Sequence, residues 1–194
     1  MFDAIDTYYR KLVPHISDEA LATLHQHLTL KTVSKGQHLI QEGQYCNHVW
    51  FINEGFFRFY NNVDGKQIST GFIGNNEYIS EYASFLTEQP AHDNIDAIED
   101  GSVWQLHRTH MQELFQQFPV FETFARKLAE HLFILLAHRN YALLAISPED
   151  RYQMLRNNQS ALLQKIPQYM LASYLGITPE HLSRIRKKMA NEKK

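Results

Sequence analysis

Apolar residues change their spacing twice along the chain, and the changes mark three textures. In residues 17–28, SDEALATLHQHL, Leu21, Leu24 and Leu28 recur at helical intervals behind Ser17 and two acids. A serine N-cap, acids in the first turn and that period predict a helix, and residues 1–29 as a whole read as helical. From Leu30 the pattern shortens into β-rich runs at 30–33, 38–41, 49–53, 56–60, 67–73, 94–98 and 102–106, with glycines in or between them. Within FFRFYNNVDGKQIST, Asp64-Gly65 is a hairpin turn signal. Many short strands at such spacing predict an antiparallel jelly roll.

The third texture begins near Pro119, a residue favoured at the first helical position. Phe121, Ala125, Leu128, Leu132, Leu135, Arg139, Ala142 and Ile146 are spaced alternately four and three apart, and seven of these eight are apolar. A narrow stripe of that kind is the seam of a coiled coil, which predicts that the helix pairs two copies of the chain. A long helix packed on its own core is the alternative, and Phe124, Phe133, Leu136 and Leu143 widen the apolar surface in that direction. Ser147-Pro148-Glu149-Asp150 then restarts the chain with an N-cap serine, a first-turn proline and an acid at the third position. Three segments follow: a jelly roll over 1–118, a dimerisation helix over 119–146 and a helical domain over 147–194.

The last segment carries ASYLGITPEHLSRIRKK. With Gly176 as a turn, Ala172 is the small residue that lets two short helices approach. Leu171, Leu175, Ile177, Leu182 and Ile185 supply their shared core, Thr178 caps the second helix and Pro179 begins it. These positions match a helix-turn-helix without insertion. The outward face of its second helix would be Thr178, Pro179, Glu180, Ser183, Arg184, Lys187 and Lys188. Arg184 suits guanine O6 and N7 in a major groove, Glu180 suits cytosine N4, and Lys187 and Lys188 suit phosphates. A surface ion pair between Glu180 and Arg184, four residues apart, is the plainer reading.

Charge sharpens this picture. Residues 148–194 hold nine Lys/Arg against four Asp/Glu, a net of +5, whereas the remainder nets −7. A basic tail on an acidic body points to a polyanion partner, double-stranded DNA. The single cysteine, Cys46, excludes a disulfide framework and any multi-cysteine zinc or iron–sulfur site. MFDAIDTYYRKLVPHI carries early acids and no uninterrupted apolar stretch, so neither a signal peptide nor a membrane span is expected, and a cytoplasmic setting is.

Jelly roll, seam helix and helix-turn-helix together resemble the Crp/Fnr family of bacterial transcription regulators, from about residue 14 to 188. The likeness is strongest in GITPEHLSRIRKK, where Glu180, Ser183 and Arg184 match the E-x-x-S-R pattern of the Fnr branch. The resemblance implies an α+β fold, with an N-terminal cyclic nucleotide-binding-like jelly roll, a long dimerisation helix and a C-terminal winged-helix-like helix-turn-helix. It also implies a homodimer reading a palindromic TTGA-like site, with Glu180 and Arg184 on the G·C pair, Ser183 on the adjacent thymine, and RNA polymerase as a partner. Relatives often carry a β-hairpin wing before the helix-turn-helix. Here NNQSALLQKIPQ stands in that place, which predicts fewer phosphate contacts, replaced by the Lys-rich tail.

The sensor half departs from the cyclic AMP-binding branch. In YISEYASFLTEQPAHDNIDA, Ser80-Glu81 occupy the family's Gly-Glu pair and Ala91-His92 its Arg-Ser pair. Glu81 is retained, but the phosphate-neutralising arginine is not, and an anion beside Glu81 and Asp93 would be repelled. The positions that supply adenine-binding hydroxyls become Leu136 and Ala137. Control by cyclic AMP is therefore not expected. An unknown small organic effector near Ser80, Glu81, Tyr82, Ala91, His92 and Leu136, or none at all, remains. His107 and His110 could meet a metal on one helical turn, yet such pairs are more often plain surface residues, and neither metal nor cofactor is predicted. The His-x-His of a jelly-roll oxygenase occurs only as His25/His27 in the helical N-terminus, so no enzyme is expected.

Overall fold

The N-terminal helical texture folds as two helices, α1 (Asp3–Leu12) and α2 (Asp18–His27). Pro14 follows directly after the C-cap Val13, which leaves the α region as a residue before proline must. Ser17 caps α2, its hydroxyl accepting the Ala20 N–H at 3.1 Å. The computed structural model describes residues 1–158 and 160–191. Gln159 and Glu192, Lys193 and Lys194 lie outside the described residues, and with them the last two lysines of the expected basic tail.

Eight strands follow: β1 (Thr29–Val33), β2 (His38–Ile40), β3 (His48–Glu54), β4 (Phe57–Val63), β5 (Lys66–Ile73), β6 (Tyr78–Ile79), β7 (Asn94–Ala97) and β8 (Gly101–His107). They form two four-stranded sheets, ordered β1-β8-β3-β6 and β2-β7-β4-β5. β8 is antiparallel to both of its neighbours, placing Trp104 opposite Leu30 and Phe51. This is the jelly roll read from the strand pattern. Asp64 and Gly65 take φ of +50° and +75°, the two positive values that a two-residue hairpin turn demands. Two short helices join the roll, α3 (Tyr82–Thr87) after β6 and α4 (Arg108–Gln117) after β8.

Period-2 alternation divides the apolar residues of the first sheet between two cores. Trp50, Ile52 and Val103 join Phe57 and Ile95 in a cluster drawn from both sheets. Phe51, Trp104 and Leu106 point the other way, into a cluster with Tyr9, Leu24 and Phe124 of the covering helices. Arg58 and Asp96 form a buried pair on neighbouring strands β4 and β7, with Nε donating to Oδ1 at 3.0 Å and Nη2 to Oδ2 at 2.6 Å.

The long helix α5 (Val120–Ala145) begins after Pro119, and α6 (Pro148–Asn158), α7 (Ser160–Lys165), α8 (Gln168–Tyr174) and α9 (Pro179–Asn191) complete the chain. The Ser147 hydroxyl accepts the Asp150 N–H at 3.2 Å and donates to Asp150 Oδ2 at 2.7 Å, the cap that its spacing predicts. Among the described residues from 147 onward no strand occurs, so the winged-helix likeness is confined to the helices. The chain divides into two compact units, Met1–Phe59 with Phe72–Leu132, and Tyr60–Gly71 with the residues from Phe133 onward. Helix α5 thus contributes its first half to one unit and its second half to the other. Among the described residues no helix is long and apolar enough to cross a membrane.

Candidate nucleic-acid interface and sensor pocket

The second unit contains a helix, a tight turn and a helix where the sequence places them. Leu171, Ala172, Leu175, Leu182 and Ile185 are all buried between α8 and α9. Gly176 takes φ +68°, and the Ile177 N–H returns to the Ala172 carbonyl at 3.0 Å. A Cβ at Gly176 would approach Leu143 no closer than 3.7 Å. Backbone conformation, rather than lack of space, therefore calls for glycine there.

Helix α9 starts as its caps dictate: the Thr178 hydroxyl accepts the His181 N–H at 3.2 Å, and Pro179 opens the helix. Thr178, Pro179, Glu180, Arg184, Lys187 and Lys188 are exposed and Ser183 is half-buried, while Leu182 and Ile185 face the core. The Glu180 carboxyl is held below the usual carboxylate range by its own backbone amide, then by the Thr178 hydroxyl and by the charge of Arg184. It therefore stays an ionised acceptor at neutral pH. Arg186 turns back, its guanidinium 5.7 Å from the centre of the Tyr152 ring, and leaves the outward face to Arg184 and the lysines.

Three anchors of this unit were not among the residues singled out from the sequence. Arg151 donates from Nη1 to the Ala142 and Ile146 carbonyls at 3.2 and 2.5 Å, and from Nη2 to the Leu175 carbonyl at 2.8 Å. One side chain thereby ties the end of α5 to the turn before α9. Ser173 accepts the Ser69 N–H at 2.8 Å, fastening the β4–β5 hairpin to α8. The Tyr174 ring lies under the Arg139 guanidinium, 4.0 Å from it. Only the Ser-Pro-Glu-Asp restart four residues earlier hinted that Arg151 would face the preceding helix.

Of the stripe read as a dimer seam, Phe121 alone is fully buried. Phe121 is buried in the first unit's helix-covered core, and Ala125, Leu128 and Leu132 line a cleft there. Leu135, Arg139 and Ala142 border a hollow of the second unit together with Arg151, Tyr174 and Leu175, and Ile146 is half-buried. Leu135 is 50% exposed, and beside it Phe133 is 71%, Leu136 66% and Leu144 80% exposed. Periodicity located an apolar stripe but carried no information on what it packs against.

The expected effector residues are only partly brought together. Glu81 is buried and spends its carboxylate on its own helix, accepting the Ser84 N–H at 2.7 Å as the cap of α3. Ala91 is buried among the core residues, its N–H bonded to the Gln44 carbonyl at 2.7 Å. His92 is exposed, and Leu136 belongs to the second unit. Ser80 and Tyr82, however, line the first unit's cleft, which encloses about 60 Å3 and is partly open to solvent. Its other walls include Tyr9, Tyr78, Phe115 and Phe124. Burial pushes the Tyr9 and Tyr78 hydroxyls upward, so both remain protonated. The cleft is an apolar, aromatic site with a few hydroxyl groups.

Residues 30–118 match the family of cyclic nucleotide-binding domains. No curated protein matches the chain by sequence. Solved structures share its fold: the c-di-GMP-responsive global regulator CLP of Xanthomonas campestris is 14% identical, with a TM-score of 0.73 over 91% of this chain and 93% of that one. A transcriptional regulator of the Crp/Fnr family from Eubacterium rectale is 16% identical, with a TM-score of 0.74 over 95% and 88%. FixK2 of Bradyrhizobium japonicum is 20% identical, with a TM-score of 0.67 over 85% of each chain. The jelly roll, the long helix and the helices after it thus form a fold shared with these solved structures.

Proposed function

We propose that the chain is a sequence-specific DNA-binding transcription regulator and not an enzyme, acting as a cytoplasmic homodimer, with RNA polymerase as the partner it acts on. One observation carries this reading. The left-handed turn at Gly176 fixes α9 so that Glu180, Arg184, Lys187 and Lys188 are exposed on one helix whose opposite side is buried. The dimer forms through the exposed face of α5, which includes Leu135 of the expected seam together with Phe133, Leu136 and Asn140. A single asparagine within such a seam fixes register and favours one pairing. Two α9 helices related by a two-fold axis would enter major grooves about 34 Å apart.

A duplex carrying two inverted TTGA-type half-sites one helical turn apart is expected to bind two chains. Its affinity should exceed that for a scrambled duplex by about a thousandfold or more and fall steeply with salt. Titrations by fluorescence anisotropy, with the stoichiometry from sedimentation, check this. Equal affinity for the scrambled duplex would exclude sequence reading.

Control by cyclic AMP is not part of the proposal, because the position of the family's phosphate-binding arginine is the buried Ala91. The effector site proposed instead is the aromatic cleft, whose walls include Phe121, Phe124, Leu128 and Leu132 of α5. A ligand acts from there only by favouring the DNA-competent arrangement. The match of residues 30–118 to cyclic nucleotide-binding domains keeps a nucleotide sensor as the second reading. A thermal-shift screen separates the two: small aromatic or acyl compounds should raise the midpoint, and Leu128→Trp should abolish the rise. Cyclic AMP and cyclic GMP should leave it unchanged, and a shift with either would reverse the assignment.

A further inference from the structure

The N-terminal helices and the helix after β8 bring together three metal-ligating side chains that the DNA reading leaves unused. His27 is the last residue of α2, and His110 and Glu113 lie one turn apart on α4. One ligand atom from each falls within 4.8 Å of the others. The His27 and His110 rings are 4.6 Å apart between centroids. Both histidines are half-buried and Glu113 is exposed, so the group opens toward solvent on one side. Neighbouring histidines are committed elsewhere. His25 bonds Asp6 at 2.7 Å and stacks on Phe2, and His107 accepts the Thr109 N–H as the cap of α4.

A second, independent feature points to a ligand at this place. His110 Nδ1 is buried and has no hydrogen-bond partner among the described residues. Buried polar atoms are nearly always satisfied, and an exception calls for a cause such as an ion. We infer that His27, His110 and Glu113 bind one divalent transition metal ion, with water completing the shell. Two imidazoles and one carboxylate are borderline donors, suited to zinc or nickel rather than to calcium or magnesium, which prefer oxygen alone. Bonds of about 2.1 Å in a tetrahedral shell place ligand atoms about 3.4 Å apart. Small side-chain rotations close the present spacing to that value, since Glu113 is free to move on the surface. The ion would then pin the C-terminal end of α2 to the first turns of α4.

Calorimetric titration of the chelator-treated full chain with zinc ion alone tests this. One zinc per chain is expected in the tightest binding event, with magnesium giving no heat. His27→Gln and Glu113→Gln change exposed or half-exposed groups and should fold normally, as circular dichroism can verify. Each should weaken zinc binding about tenfold or more and remove the zinc-induced rise in thermal midpoint. His131→Ala and His138→Ala, at exposed histidines on α5, should change neither. Unaltered zinc affinity in both His27→Gln and Glu113→Gln would overturn the assignment, as would an equal loss in the α5 variants.

Discussion

Replacing Asp96 by alanine is expected to lower folding stability by about 3–5 kcal/mol, a large share of the roughly 5–15 kcal/mol that holds a domain together. The cause is what remains behind. Arg58 is buried and shares two hydrogen bonds with the Asp96 carboxylate, at 3.0 and 2.6 Å. Removing the carboxylate takes two charge-assisted hydrogen bonds from a buried guanidinium, whose desolvation they help to offset. The two residues come from β4 and β7, neighbours in one sheet, so relaxation toward water would require parting strands. The double replacement Arg58→Met with Asp96→Leu removes both charges and should recover most of the loss. Urea unfolding of Arg58→Met, Asp96→Leu and the double variant measures the coupling. A double variant as unstable as Asp96→Ala would show that lost packing, and not the lost charge-assisted bonds, sets the penalty.

Local chemistry made parts of this structure legible. Ser17, Ser147 and Thr178 cap the helices that their spacing predicts, and Asp64-Gly65 turns the hairpin, because caps and turns depend on a few adjacent residues. The helix-turn-helix was readable for the same reason: its glycine, its small residue and its apolar skeleton all lie within seventeen positions. Helix α4 escaped notice because its cap is the His107 imidazole, not a usual capping residue, and because Leu114 is its only fully buried side chain. Helix α3, six residues long, is too short to show a period. Glu81 looked like a ligand-binding carboxylate, yet the Ser84 amide that it caps could only be assigned once α3 was known. Arg151 and the His27–His110–Glu113 group depend on elements that meet through the fold and leave no adjacent signal in the chain. The stripe on α5 shows the same limit, since a repeat of four and three states a direction but not a neighbour.

Arg184→Ala is expected to leave the fold intact and to remove discrimination at one base pair of each half-site. The side chain is exposed on α9, where truncation costs within about 0.5 kcal/mol of stability. A guanidinium aimed at guanine makes two parallel hydrogen bonds, and losing such a contact costs about 1–3 kcal/mol of selectivity. The loss therefore appears as a drop of about fivefold to more than a hundredfold in the ratio of specific to scrambled affinity. Lys187→Ala should lower both affinities alike and flatten the salt dependence, because a phosphate contact carries no sequence information. Arg184→Lys separates charge from shape: lysine keeps the positive charge but lacks the planar fork, so non-specific affinity should survive while the ratio falls. Glu180→Gln should act in the same direction more weakly. On the proposed reading the carboxylate one turn earlier would offer an acceptor to cytosine N4, and only its charge is lost. An unchanged affinity ratio in Arg184→Ala would remove Arg184 from base reading and leave α9 as a backbone-binding helix alone.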